Sequence, residues 1–193
     1  IQLEILQDTL MSRYGLPAHF AAPTVIYRET IAHPSVGFAA YTMPKPCWAV
    51  LHFDLEPGPR GSGVTYESIV PVREIMARYQ HQVEQALPLA LRQGRLGWEV
   101  TDIKITLSGG NHHLIHTHPM DFILATPWAI HDGLRNGGSV LLEPILEIRF
   151  LLPPECLGRV ISDVNAMRGE VLTSEAEEDR VDLTALVPAA AAR

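Results

Sequence analysis

Cysteine is scarce: Cys47 and Cys156 are the two in 193 residues, far apart and outside any CxxC pattern. That excludes a disulfide framework, and two reduced thiols are the plain reading of a cytosolic chain. Positive charge is in deficit, with 15 Lys and Arg against 22 Asp and Glu and a formal net charge of −7. A chain of that sign does not bind nucleic acid through non-specific charge, although one loop can still make a local RNA contact. No run of about 18 apolar residues exists, so nothing reads as a membrane span. The opening IQLEILQDTLMSRYG is no signal peptide, because acids sit inside an amphipathic pattern. There is no initiating Met and both ends fall in segments that read as structured, so the chain is expected to be a piece of something longer.

What is present is ordinary globular composition, 47% hydrophobic and 19% charged, enough to fill a core. Apolar residues at Leu3, Ile5, Leu6, Leu10 and Met11 predict a helix over 1–14 that Gly15 stops, followed by a short extended segment over 16–20. TVIYRETI (24–31) and CWAVLHFDLEP (47–57) read as strands, with a turn at HPSVG and a loop at PGPRGSG (57–63). Pro71 is placed to open a long helix with an apolar stripe from Val72 to Ala90, bent or shortened at Pro88 and closed by Gly94. WEVTDIKITL (98–107) is the clearest strand, broken by Gly109-Gly110. Pro119 is expected to start a helix through about Leu134, ended by Asn136-Gly137-Gly138, where the best domain boundary falls. Beyond it come a strand pair or bent strand, a short helix over ECLGRVISDVNAMRG and two strands around an acidic turn.

The most unusual stretch is NHHLIHTH (111–118), with four histidines in eight positions. On an extended chain His112, His116 and His118 would share a face, and three imidazoles can hold zinc with one position open. Only Asp121 offers itself as a supporting carboxylate, and the HExxH pattern is absent. The other reading is a contact tip, a loop between a strong strand and a helix, where binding residues tend to sit. Histidine and asparagine can hydrogen-bond to and stack on unpaired bases. A polar connector without a role is the plain alternative. PGPRGSG lacks the GxxxxGK[ST] of a phosphate loop, Asp54 and Glu56 read as a solvated face, and Trp48, Trp98 and Trp128 as core or rim packing.

Together, PTVIYRE (23–29), KPCWA (45–49), GSGVTYES (61–68), GWEVTD (97–102), the Pro-x-Asp-Phe of 119–122, LLEPILEIRF and GRVISDVNAMRGEV resemble the C-terminal part of elongation factor G. The resemblance is stronger to the tetracycline-resistance ribosomal protection proteins of that family, and runs from Ile1 to about Pro188. It implies an α+β fold in three pieces. Residues 1–22 would be the last helix and strand of a third domain. Residues 23–137 would be the fourth domain, a β-α-β sandwich with a left-handed crossover through the helix at 71–93. Residues 138–193 would be the first half of a ferredoxin-like fifth domain. Half a domain with open sheet edges predicts self-association of the piece, unless residues 1–20 pack on 140–190 as a substitute for the missing half.

The family is a translational GTPase, and the resemblance implies that the GTPase domain, with its GTP and magnesium, lies outside this chain, so that no cofactor and no catalysis belong to it. It implies a cytoplasmic protein whose partners are the ribosome and small-subunit ribosomal RNA at the decoding region. The implied RNA contacts are Asn111, His112, His113, Leu114, Ile115 and His116, with Arg60, Gly61 and Ser62 on a neighbouring loop in second place. By that resemblance His113 falls on a tip histidine of elongation factor G. The resistance proteins carry tyrosines at the places of His112 and His113 and a proline at that of Ile115, so this tip matches neither group. A metal-binding loop built on His112, His116 and His118, or a paralogue that binds another protein and confers no resistance, are the alternatives.

Overall fold

The computed structural model describes residues 2–21, 24–42, 47–177 and 179–192. Helix α1 (Gln2–Tyr14) forms where the apolar spacing predicts it, and Gly15 ends it at a φ of 65° that a residue with a Cβ resists. It buries none of its residues. No strand follows over 16–20, and the C-terminal sheet takes no strand from this end. Within the chain, the alternative that residues 1–20 complete that sheet is therefore not met: the helix is present, the strand is not, and Leu3, Ile5, Leu6 and Met11 of the helix remain exposed.

The central unit is a four-stranded sheet in the order β2-β3-β6-β4, made of β2 (Ser35–Thr42), β3 (Trp48–Pro57), β4 (Val64–Ser68) and β6 (Ile103–His112). β3 alternates strictly, so Ala49, Leu51, Phe53 and Leu55 point to one face and are fully buried. Helices α2 (Ala77–Leu91) and α3 (Asp121–Gly137) cover that face, and Val83, Phe122, Ala129 and Ile130 join the sheet residues in one core. The closeness of α3 to β2 depends on Gly37, where an added Cβ would lie 2.2 Å from the carbonyl oxygen of Ala129. β4 and β6 pair in parallel and α2 connects them, as a β-α-β unit requires.

A second, three-stranded sheet has β1 (Arg28–Ile31) between β5 (Glu99–Val100) and β7 (Ser139–Leu142). The third sheet, β8 (Ile145–Leu152), β10 (Arg180–Pro188) and β9 (Glu170–Glu177), carries α4 (Leu157–Ala166) and has its own small core around Val164, Leu183 and Ala185.

Several expectations differ from the fold. β2 begins inside the stretch read as a turn at 33–37, and β4 follows the loop 57–63 over residues to which the sequence assigned no element; both find their backbone partners in β3 and β6. Residues 24–27 belong to no strand, and α2 begins at Ala77, after a separate turn whose Ile75 amide bonds to the carbonyl of Pro71. α2 also runs through Pro88 to Leu91. The clearest predicted strand is two strands in two sheets: Asp102, at a φ of 53°, swings the chain from β5 into β6. Gly109 and Gly110 do not end β6, which continues to His112; at Gly110 a Cβ would stand 2.1 Å from the Val50 oxygen, so glycine lets the strands meet there. Lys45, Pro46 and Pro23, within the stretches compared above, lie outside the described residues.

Candidate functional site

β3 and β6 are antiparallel, with Ala49 opposite His112 at one end and Pro57 opposite Ile103 at the other. The strand rise between these ends amounts to roughly 30 Å. The histidine loop leaves the first end and the loop 57–63 leaves the second. The expectation that Arg60, Gly61 and Ser62 lie on a loop neighbouring the histidine loop is therefore corrected: they stand at the far end of the sheet. There the Asp102 carboxylate, itself buried, accepts the amides of Gly61 and Gly63 at 3.0 Å each. Arg60 and Ser62 are exposed, and Gly61 and Gly63 wall a cavity of about 320 Å³ with Arg28 and Pro144.

What does adjoin the histidine loop is the start of β3 and the turn before α2. The His112 amide and its Nδ1 both donate to the carbonyl of Glu74, at 3.1 and 2.8 Å, and the ring lies 5.6 Å from that of Tyr79. Its Nε2 is buried without a partner among the described residues. The indole Nε1 of Trp48 donates to Asn111 Oδ1 at 2.5 Å.

From His113 the chain leaves the sheet and makes one tight turn. The Nδ1 of His113 accepts the amides of Ile115 and His116, at 3.1 and 3.2 Å, and its carbonyl accepts the amide of Thr117 at 3.0 Å. The His113 amide donates to the Thr117 hydroxyl at 2.8 Å, and that hydroxyl donates to the Trp48 carbonyl at 2.6 Å. The His113 ring stacks on His116 with centroids 4.4 Å apart and tilts against Trp48 at 5.6 Å. The way out is also held: His118 Nδ1 donates to the His116 carbonyl, and the His118 amide donates to Asp121 Oδ2, both at 2.8 Å. Met120 turns the chain into α3 at a φ of 82°.

The loop thus carries an inside and an outside. Leu114 and Ile115 are 82% and 75% exposed, and Asn111 and His116 are exposed beside them. His112 and His113 are half-buried, with their Nδ1 atoms committed to backbone groups. The alternating geometry of an extended chain, on which a face shared by His112, His116 and His118 depended, does not apply to a turn. Among the described residues no group of three His, Cys, Asp or Glu is placed to hold a metal ion.

Trp48, Glu74, Thr117 and Asp121 build this loop; Thr117 lies within the stretch that the sequence singles out and Asp121 just after it, whereas Trp48 and Glu74 come from distant parts of the chain. Trp48 was expected only to pack. Asp121 had a visible signal, as the single carboxylate near the histidines, but its partners are amides. Glu74 contributes a backbone carbonyl, for which side-chain identity carries no signal.

Residues 23–138 match the family model of elongation factor G, domain IV, and residues 140–193 that of the elongation factor G C-terminus. The chain is 33% identical over 193 residues to tetracycline resistance protein TetP of Clostridium perfringens, covering 97% of this chain and 29% of that protein. It is 32% identical over 194 residues to TetO of Campylobacter jejuni, covering 98% of this chain and 30% of the relative. A crystal structure of a Thermus thermophilus protein superposes with a TM-score of 0.85 at 29% identity, over 97% of this chain and 28% of that one. The chain thus spans about three-tenths of the length of these relatives. With one family model matched over most of the chain and a second over the remainder, this chain belongs to the elongation factor G family, in the stretch that holds domain IV and the C-terminal domain.

Proposed function

We propose that this chain is the ribosome-contacting arm of a translational GTPase working in the cytoplasm, and that its loop 111–118 meets small-subunit ribosomal RNA at the decoding region. The observation that carries the reading is the exposure of Leu114 and Ile115 at the apex of a loop pinned at both legs. Two apolar side chains held out into water cost free energy unless a partner covers them. A short, stiff projection on a rigid sheet suits insertion into a structured RNA surface, since little ordering entropy is lost on contact. The chain's net charge of −7 favours shape and stacking over charge as the source of affinity. Membership of the elongation factor G family supports the translational setting, and relatives named tetracycline resistance proteins accord with it. GTP binding and hydrolysis, with magnesium, belong on this reading to a part of the protein outside residues 1–193.

In this assignment Leu114, Ile115 and His116 face the RNA with Asn111 beside them, while His112 and His113 shape the loop. Arg60, roughly 30 Å away along the strands, serves at most a separate phosphate contact. The test is chemical footprinting of ribosomes bound by the full-length protein. Leu114→Ala with Ile115→Ala should lose protection of decoding-region bases, and Arg60→Ala should keep it. Protection unchanged by the double substitution defeats the assignment.

A further inference from the structure

We propose that His113 is a positioning residue: its imidazole Nδ1 caps the turn 113–117 and so sets the shape in which Leu114, Ile115 and His116 are presented, while the ring itself is not the contact surface. This rests on the reading of the loop as the contact tip.

The residue at the start of a helical turn leaves the next amides without intrahelical partners, and a side-chain acceptor normally supplies them. Asn, Asp, Ser and Thr are the usual suppliers. Here the turn is closed by the bond from the Thr117 amide to the His113 carbonyl, 3.0 Å long, and the amides of Ile115 and His116 point to one imidazole nitrogen at 3.1 and 3.2 Å. An imidazole nitrogen accepts only when it carries no hydrogen, so His113 holds its proton on Nε2. Every polar atom of His113 other than Nε2 is thereby engaged within the chain. One face of the ring is also covered by His116. A nucleobase stacking on that face would have to displace His116.

The chemistry gives two substitutions of opposite expectation. Asn places its Oδ1 at the same branch position as the imidazole Nδ1, and its use as an acceptor for amides two and three residues on is common. Phe keeps a flat ring of similar area and has no acceptor. A cap therefore tolerates His113→Asn and fails with His113→Phe, whereas a stacking contact does the reverse.

The first measurement is amide hydrogen exchange in peptides spanning 112–118 of the full-length protein, without ribosomes. Exchange at Ile115 and His116 should quicken about fivefold in His113→Ala and His113→Phe, the size expected from losing one cap, and return to within about twofold of the parent in His113→Asn. Parent-like exchange in His113→Ala, or slow exchange in His113→Phe, overturns the proposal. The second is ribosome binding by the same variants, which should fall with Ala and Phe and be rescued by Asn. Rescue by Phe and not by Asn makes the ring the contact and overturns the proposal. If exchange behaves as expected while no variant changes ribosome binding, the contact reading of the loop fails and the positioning role with it, and the cap alone stands.

Discussion

Asp121, at the first turn of α3, accepts the backbone amide of Trp48, at the start of β3, through Oδ2 at 3.0 Å. The same oxygen accepts the amide of His118 at 2.8 Å. One buried carboxylate therefore ties the sheet, the exit of the histidine loop and the helix to a single point. Removing it strands two amides that a charged acceptor had satisfied, so Asp121→Ala should cost about 3 kcal/mol. Urea unfolding followed by tryptophan fluorescence measures this. Asp121→Asn keeps one oxygen and should recover part of the loss; an Ala variant as stable as the parent would refute the role.

Asp102 does the corresponding work at the opposite end. Its side chain takes the amides of Gly61 and Gly63, while its carbonyl takes the Thr30 hydroxyl at 2.9 Å and the Gly58 amide at 2.7 Å. Its φ of 53° adds a backbone demand that Asp and Asn tolerate better than Ala. Asp102→Ala should cost about 3 kcal/mol, from two lost bonds and the left-handed backbone together. Limited proteolysis should then cut within 57–63 while sparing 111–118, because the loops lie at opposite ends. Equal cutting at both would contradict the separation.

Tyr66 should dominate the alkaline limb of stability. Burial, with the negative charge of Glu84 adding to it, pushes its hydroxyl up to about 12 from an ordinary value near 10. The folded state thus holds this proton more tightly than the unfolded chain. Its contribution is fully present below pH 10 and is lost as the pH rises toward about 12. Tyr66→Phe has no proton to lose, so its stability should decline less over that interval. Ultraviolet titration of the tyrosines should show the highest-titrating step vanish in the same variant. An unchanged titration curve would mean that another hydroxyl carries it.

Much of this architecture is legible along the chain because it follows local periodicity. The alternation of Leu51, Phe53 and Leu55 predicts β3 and its buried face, and α1, α4 and the final two strands fall where spacing and turn residues put them. The long motifs shared with elongation factor G identify the family, and the exposed apex Leu114-Ile115 lies in the segment that histidine content alone brings forward. Which side chains of that segment face outward is another matter. A histidine that donates to Glu74, another that accepts two amides, and an exposed third carry the same letter, and only the fold divides them.

The amino-acid order by itself determined the family, the composition of the core and the existence of a strand-to-helix loop rich in imidazole, because these depend on residues close together in sequence. Tertiary structure alone decided that β5 and β6 part at Asp102, that β2 and β4 exist, and that the loops 57–63 and 111–118 occupy opposite ends of one sheet. Each of those outcomes depends on which distant backbone groups pair, and strand pairing is settled by the packing of the whole unit and not by the preference of any one segment.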